Sequence, residues 1–190
     1  LFRSAHPRAG WAEQDPEQWW SSVADVCSEL RGVAPADFAA VEAQFPTGGT
    51  AIDIACGRGG AAVWLARRGL QVWGIDISPI ALNQARELAA YWQVSDRCRF
   101  TEADLDDGLP PGPPVDVLVC HRFRDPRLHE AIIDRLKPGG LLAVSVLSEV
   151  GSDPGRYRAR PGELTAAFAN LDLISSGEGQ GVAWLLARKR

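Results

Sequence analysis

The sequence predicts a doubly wound α/β domain: a mostly parallel seven-stranded sheet with an antiparallel C-terminal hairpin and helices on both faces. Three observations carry this. Short apolar strands alternate with helical segments from Thr50 onward, the order that builds a parallel sheet covered by helices. A glycine cluster, Gly57 to Gly60 with one arginine, separates the first strand from its helix. The last two strands are joined by a link too short for a crossover, so they must run antiparallel.

Taken in order, Asp15-Pro16-Glu17-Gln18 starts a helix, with Asp15 as N-cap, Pro16 in the first turn and Gln18 closing a capping box. Trp19, Val23, Val26 and Leu30 recur at helical spacing, and Gly32 ends the run. A second short helix follows from Pro35, with Phe38, Val41 and Phe45 on one face. Thr50 to Ala55 is the first strand, Ala61 to Arg68 its helix, and Val72 to Ile77 the second strand. Ser78-Pro79 caps a helix that reaches about Trp92. Arg99 to Glu102 is a third strand, and the prolines of 106–114 mark a surface loop. Val115 to Cys120 is a fourth strand, apolar enough to be buried on both faces. Pro126 to Leu136 is a helix, Pro138-Gly139-Gly140 a turn, and Leu141 to Leu147 a fifth strand. A helix over Glu163 to Asn170 precedes strands Leu171 to Ser176 and Val182 to Ala187, linked by 177–181. Residues 1–34 are expected to form a helical extension or lid, and 35–190 the core of a single domain.

Composition narrows the function classes. The chain has 190 residues, 46% of them hydrophobic, enough for one well-buried core. A net charge of −4 argues against a nucleic-acid partner. The four cysteines, Cys27, Cys56, Cys98 and Cys120, show no CxxC spacing, so no metal site is expected. Their apolar surroundings fit reduced thiols in the cytoplasm. No apolar run approaches the ~18 residues of a membrane span, and Leu1 to Gly10 holds no secretion signal core. The chain does not begin with methionine, which leaves its true start open.

The chemistry concentrates in Asp53-Ile54-Ala55-Cys56-Gly57-Arg58-Gly59-Gly60. Gly57 and Gly59 let the backbone approach a ligand closely, and the helix that follows offers free N–H groups. Asp76 ends the second strand nineteen residues after Gly57, where its carboxylate can accept both hydroxyls of a ribose. Gly57, Gly59 and Ala62 also satisfy the dinucleotide fingerprint, so an NAD(P)-dependent oxidoreductase is an alternative. Asp53 favours another ligand: at that place a carboxylate repels a pyrophosphate but attracts the cationic methionine end of a sulfonium cofactor. Asp104, after the third strand, is suited to accept a hydrogen bond from an adenine amino group.

With these features the chain resembles the class I S-adenosylmethionine-dependent methyltransferases, which have a Rossmann-like fold. The matching segments, in order, are DIACGRGG (53–60), GIDIS (74–78), ADL (103–105) and LKPGGLL (136–142). Most members have glycine where this chain has Ala55. The resemblance implies that Asp53, Ala55, Gly57 and Gly59 line the cofactor, Asp76 holds its ribose and Ile77 packs on the adenine. It places Asp104 and Leu105 at the adenine edge, and Cys120 with His121 beside the methionine portion and the acceptor. The segment 157–164, YRARPGEL, is similar to one in tellurite-resistance-type methyltransferases, a small-molecule branch.

The implied reaction moves a methyl group from S-adenosylmethionine to a small-molecule acceptor, leaving S-adenosylhomocysteine. A non-catalytic protein that only binds S-adenosylmethionine is a further alternative. His121 is the candidate catalytic residue, because it follows the fourth strand at the carboxyl edge where α/β ligands bind. Acceptor recognition falls to Trp20 in the first helix and to Arg122, Arg124, Arg158 and Arg160, suited to an anionic group. No membrane partner is expected; a second copy of the chain, forming a homodimer, is the protein partner considered.

Overall fold

The computed structural model describes residues 40–190. The capped helix after Asp15, Trp19, Trp20 and the division at residue 34 lie outside the described residues. Eleven elements follow the end of a helix at 40–42. They are β1 (Thr50–Ile54), α1 (Gly60–Arg67), β2 (Gln71–Asp76), α2 (Pro79–Tyr91), β3 (Cys98–Glu102) and β4 (Val115–His121), then α3 (His129–Arg135), β5 (Leu136–Leu147), α4 (Glu163–Ala167), β6 (Asp172–Gly179) and β7 (Val182–Arg188). Short 3-10 turns sit at Ser95–Arg97, Leu105–Asp107 and Pro126–Leu128.

The seven strands form one sheet in the order β3-β2-β1-β4-β5-β7-β6. Strands β1 to β5 run parallel, and β7 pairs antiparallel with both β5 and β6. This departs from the 3-2-1-4-5-6 order of dinucleotide-binding sheets by the insertion of β7. Both faces are covered. Ala51, Val72, Val117, Leu141 and Leu186 pack under the alanine-rich side of α1. On the other face Ile54, Leu118, Val144 and Leu185 meet Ile132 of α3 and Leu164 of α4.

Local chemistry explains the boundaries. The Ser78 hydroxyl accepts from the Ala81 N–H at 3.2 Å with Pro79 in the first turn, so α2 starts where the cap dictates. The link between β6 and β7 is shorter than the expected 177–181. Gln180 and Gly181 alone make the turn, at φ 50° and 80°, the two left-handed residues that a type I′ hairpin needs.

The Lys-Pro-Gly-Gly stretch is not a free turn. Register jumps from Val115↔Leu136 to Val117↔Leu141, so 137–140 bulge out of β5. A side chain at Gly140 would lie 2.8 Å from the Lys137 carbonyl oxygen, which is why glycine stands there. Lys137 Nζ reaches Asp116 Oδ2 at 2.7 Å, and the same oxygen accepts from the Thr50 N–H at 2.7 Å. Thr50 starts β1, so this clamp sits at the amino edge of the sheet. The start of the run 136–142, one of the segments that match the family, thus lies at the opposite edge of the sheet from the glycine loop after β1 and ties β1, β4 and β5 together.

Candidate functional site

The loop from β1 to α1 turns on three left-handed residues, Ala55 (φ 54°), Gly57 (φ 53°) and Gly59 (φ 78°). The two glycines do different work. A Cβ on Gly59 would meet Ala85 Cβ at 2.6 Å, so that glycine lets α2 pack against the loop. A Cβ on Gly57 would meet nothing within 4 Å, so this glycine faces open space. The Gly57 N–H donates to Asp76 Oδ2 at 2.7 Å, and the Ser78 N–H donates to Asp76 Oδ1 at 2.9 Å. Each carboxylate oxygen keeps a further lone pair. Ile77 beside it is 60% exposed.

Asp53 departs from its expected place at a cationic ligand end. Its side chain is 1% exposed, and Oδ2 accepts from the Ala62 N–H at 3.1 Å. Gly59 occupies the N-cap position of α1 and has no side chain to cap with, so Asp53 fills that role from β1. Burial pushes its carboxyl up to about 8; the bond to Ala62 lowers it and the charge of Asp76 raises it. This capping also bears on the dinucleotide alternative. A carboxyl already holds a first-turn N–H that a pyrophosphate would use.

Asp104 Oδ1 accepts from the Asp106 N–H at 2.9 Å and so caps the turn Leu105–Asp107, while the carboxyl stays exposed. Leu105 is buried in the core, so only its backbone can face a ligand. Cys120 and His121 point to opposite faces of β4, as successive strand residues must. The Cys120 thiol is buried, donates to the Phe123 carbonyl at 3.3 Å and is pushed up by burial to about 12. Its expected place beside the methionine portion is therefore corrected to a core position on the other face. A small cavity of about 20 Å³ lies there, lined by Cys120, Phe123, Leu128, Val144, Leu164 and Phe168, room for about one water molecule.

The arginines separate by partner. Arg158 Nη1 donates to the carbonyls of Ser148 and Gly181 at 2.8 and 3.2 Å, which makes it a strut between loops rather than the expected acceptor contact. Arg124 forms an ion pair with Glu163, which also accepts from the Arg160 N–H at 3.0 Å. The YRARPGEL segment is thus tied to the loop after β4. Arg122 and Arg160 are exposed. Trp20 lies outside the described residues. No group of three or more metal-ligating side chains occurs among the described residues.

His121 is largely buried, and burial, aided by the Arg122 charge, lowers its imidazole to about 4. Two residues that sequence reasoning missed stand in its row: Ser145 is its register partner on β5, and Trp184 is the partner of Ser145 on β7. Ser145 had one available signal, a lone hydroxyl in the apolar run LLAVSVL.

The fold, with β7 inserted antiparallel, and a carboxyl edge carrying Gly57, Asp76 and Ile77 agree with the resemblance to class I S-adenosylmethionine-dependent methyltransferases. Residues 51–140 match the family described as a methyltransferase domain. A ubiquinone biosynthesis O-methyltransferase of Alkalilimnicola ehrlichii is 32% identical over 139 residues, 69% of this chain and 55% of the relative. A ribosomal protein L11 methyltransferase of Thermus thermophilus is 36% identical over 135 residues, 69% of this chain and 50% of the relative. Another relative is named as a ribosomal RNA small subunit methyltransferase. The chain thus spans about half the length of the curated relatives it matches. Among solved structures, TehB from Haemophilus influenzae superposes with TM-score 0.66 at 16% identity, covering 88% of this chain and 62% of TehB. An S-adenosylmethionine-dependent methyltransferase from Clostridium acetobutylicum superposes with TM-score 0.64 at 13% identity, covering 94% and 93%. At these identities the structures share the fold, and TehB does not single out a branch.

The site fits the cofactor of this class. S-adenosylmethionine needs a carboxylate with free lone pairs for its ribose, an apolar face for its adenine and a stretch of backbone without side chains. Asp76, Ile77 and Gly57 supply these in sequence.

Proposed function

We propose that this chain transfers the methyl group of S-adenosylmethionine to a small-molecule acceptor, leaving S-adenosylhomocysteine. The observation that carries the reading is the Gly57–Asp76 pair: open space over a side-chain-free backbone, beside a carboxylate with unused lone pairs. When bound, the cofactor supplies a methyl group already activated by the positive sulfur, so the protein's main task is positioning. Asp76 holds the ribose, Ile77 covers the adenine, and Asp104 accepts from the adenine amino group. His121, uncharged at neutral pH, orients the acceptor and takes its proton.

The relatives' names include a small-molecule pathway, a ribosomal protein and a ribosomal RNA. The net charge of −4 favours the small molecule over RNA. Arg122 and Arg160, exposed near the carboxyl edge, are retained as acceptor contacts, and residues 1–34, with Trp20, as a lid on the core. Free thiols at Cys56, Cys98 and Cys120 agree with a reducing compartment, the cytoplasm. No described helix is long and apolar enough to cross a membrane.

Thermal-shift titration with S-adenosylmethionine, S-adenosylhomocysteine and NADH tests the cofactor. A ligand that binds only the folded state adds about 2.7 kcal/mol at a hundredfold excess over Kd. Stabilisation by the two sulfur compounds, lost in Asp76→Ala, is the expected result. A response to NADH alone would restore the oxidoreductase reading. Binding without methyl transfer across a broad acceptor panel would favour a non-catalytic role.

A further inference from the structure

Six buried side-chain polar atoms among the described residues lack a hydrogen-bond partner, and three of them share one row of the sheet. They are His121 Nε2, Ser145 Oγ and Trp184 Nε1. Register pairs His121 with Ser145 across β4 and β5, and Ser145 with Trp184 across β5 and β7. Register partners on neighbouring strands project from the same face, ~5 Å apart. The other three atoms belong to Arg68, Trp92 and Arg135, which share no such row.

Ser145 and Trp184 are 6% and 8% exposed. A buried polar atom without a partner is costly, and native proteins rarely leave one, so three together call for a ligand-based explanation. The next row inward on this face is Val119, Ala143 and Leu186, which has no side-chain polar group to offer. The row leads to the cofactor loop: Ile54 pairs with Cys120, so the next positions along the two strands are Ala55 and His121.

We propose that His121, Ser145 and Trp184 seat an uncharged hydroxyl of the methyl acceptor, an alcohol or a phenol; this rests on the methyltransferase reading above. Trp184 Nε1 can only donate, Ser145 Oγ can donate or accept, and neutral His121 Nε2 accepts in one tautomer. A hydroxyl satisfies all three at once. Its oxygen accepts from Trp184 and Ser145, and its hydrogen points at His121 Nε2, which receives the proton when that oxygen is methylated. A carboxylate fits less well, because none of the three is a cation and burial penalises an unpaired charge. The Asp53 carboxyl on the same face responds to burial in that direction.

The test uses the full chain loaded with S-adenosylhomocysteine, with phenol and cyclohexanol as hydroxyl probes and benzoate and toluene as controls. Indole N–H resonances are followed by NMR, and Trp184→Phe identifies the Trp184 signal by its loss. The hydroxyl probes are expected to shift that signal, and benzoate and toluene to leave it in place. Ser145→Ala and Trp184→Phe should each weaken phenol binding about tenfold, while the melting temperature of the free protein holds or rises. A Trp184 signal unmoved by both hydroxyl probes, in protein that still binds S-adenosylhomocysteine, overturns the seat and leaves the cofactor reading intact. Equal response to benzoate overturns the uncharged class. A lower melting temperature in both variants means the atoms have structural partners, ordered water included, and overturns the proposal. Protein that does not bind S-adenosylhomocysteine removes the methyltransferase reading and the seat with it.

Discussion

Replacing Gly57 and Gly59 separately by alanine should split stability from ligand binding. Both residues have positive φ, so alanine at either costs about 1–2 kcal/mol in backbone strain. Alanine also restricts the unfolded chain, which returns about 0.4–1 kcal/mol. At Gly57 nothing more is added, because the new methyl meets no atom within 4 Å. At Gly59 the methyl falls 2.6 Å from Ala85 Cβ and 3.1 Å from Ala85 Cα, neither on a flexible side chain. Overpacking of that kind adds about 1–3 kcal/mol. Gly59→Ala should therefore lose roughly 2–4 kcal/mol, a fall in Tm of roughly 4–15 °C for a chain of this size. Gly57→Ala should lose no more than about 1–1.5 kcal/mol. The order reverses for the ligand. On the proposed function the Gly57 methyl would enter the space that the cofactor takes over the backbone, so S-adenosylhomocysteine affinity should fall at least about tenfold, ~1.4 kcal/mol. Urea denaturation followed by tryptophan fluorescence gives the first quantity, and calorimetric titration the second. Wild-type affinity in Gly57→Ala, or wild-type stability in Gly59→Ala, would refute the division of roles.

Two further predictions follow from the same loop. Asp53 keeps its proton in the folded state up to about pH 8, whereas in the unfolded chain it ionises near pH 4. Between those limits the unfolded state binds fewer protons, so the Asp53 contribution is whole below about pH 4 and is lost as pH rises towards 8. Asp53→Asn keeps an acceptor for the Ala62 N–H, so its stability relative to wild type should grow across that window, by at most ~1.4 kcal/mol per pH unit. Parallel pH profiles in urea denaturation would show that Asp53 is ionised in the folded protein. Ala55→Gly should raise stability by about 0.5–1 kcal/mol, since it relieves a left-handed alanine and pays back part through the freer unfolded chain. An unchanged or lower urea midpoint would contradict that strain.

The features legible in the sequence are those set within a few residues of one another. Ser78-Pro79 capped α2 where expected, because a cap is local chemistry. The glycines of the loop and Asp76 at the end of β2 came from spacing within one βαβ unit. Relations between strands were not legible. The bulge at 137–140 depends on which β4 residues pair with β5, and its Lys137–Asp116 link crosses that pairing. Cys120 was grouped with His121 because they are neighbours in the chain, yet the pleat sends them to opposite faces. Arg158 looked like a ligand contact because its partners are two backbone carbonyls, which carry no residue-type signal. Ser145 and Trp184 stand 39 residues apart and meet His121 only through register on β5 and β7.

The position of β7 also bears on how the chain is made. Strands β5 and β6 both precede β7 in the sequence, yet β7 covers the outer edge of β5 and joins β6 to the rest of the sheet. During synthesis the apolar edge of β5, Leu141 to Leu147, stays open until residues 182–188 leave the ribosome. An unpaired edge of that composition invites pairing with other chains. The two-residue turn at Gln180-Gly181 shortens that interval by folding β7 back as soon as it emerges. Lengthening this turn should therefore harm yield during expression more than it harms the finished protein.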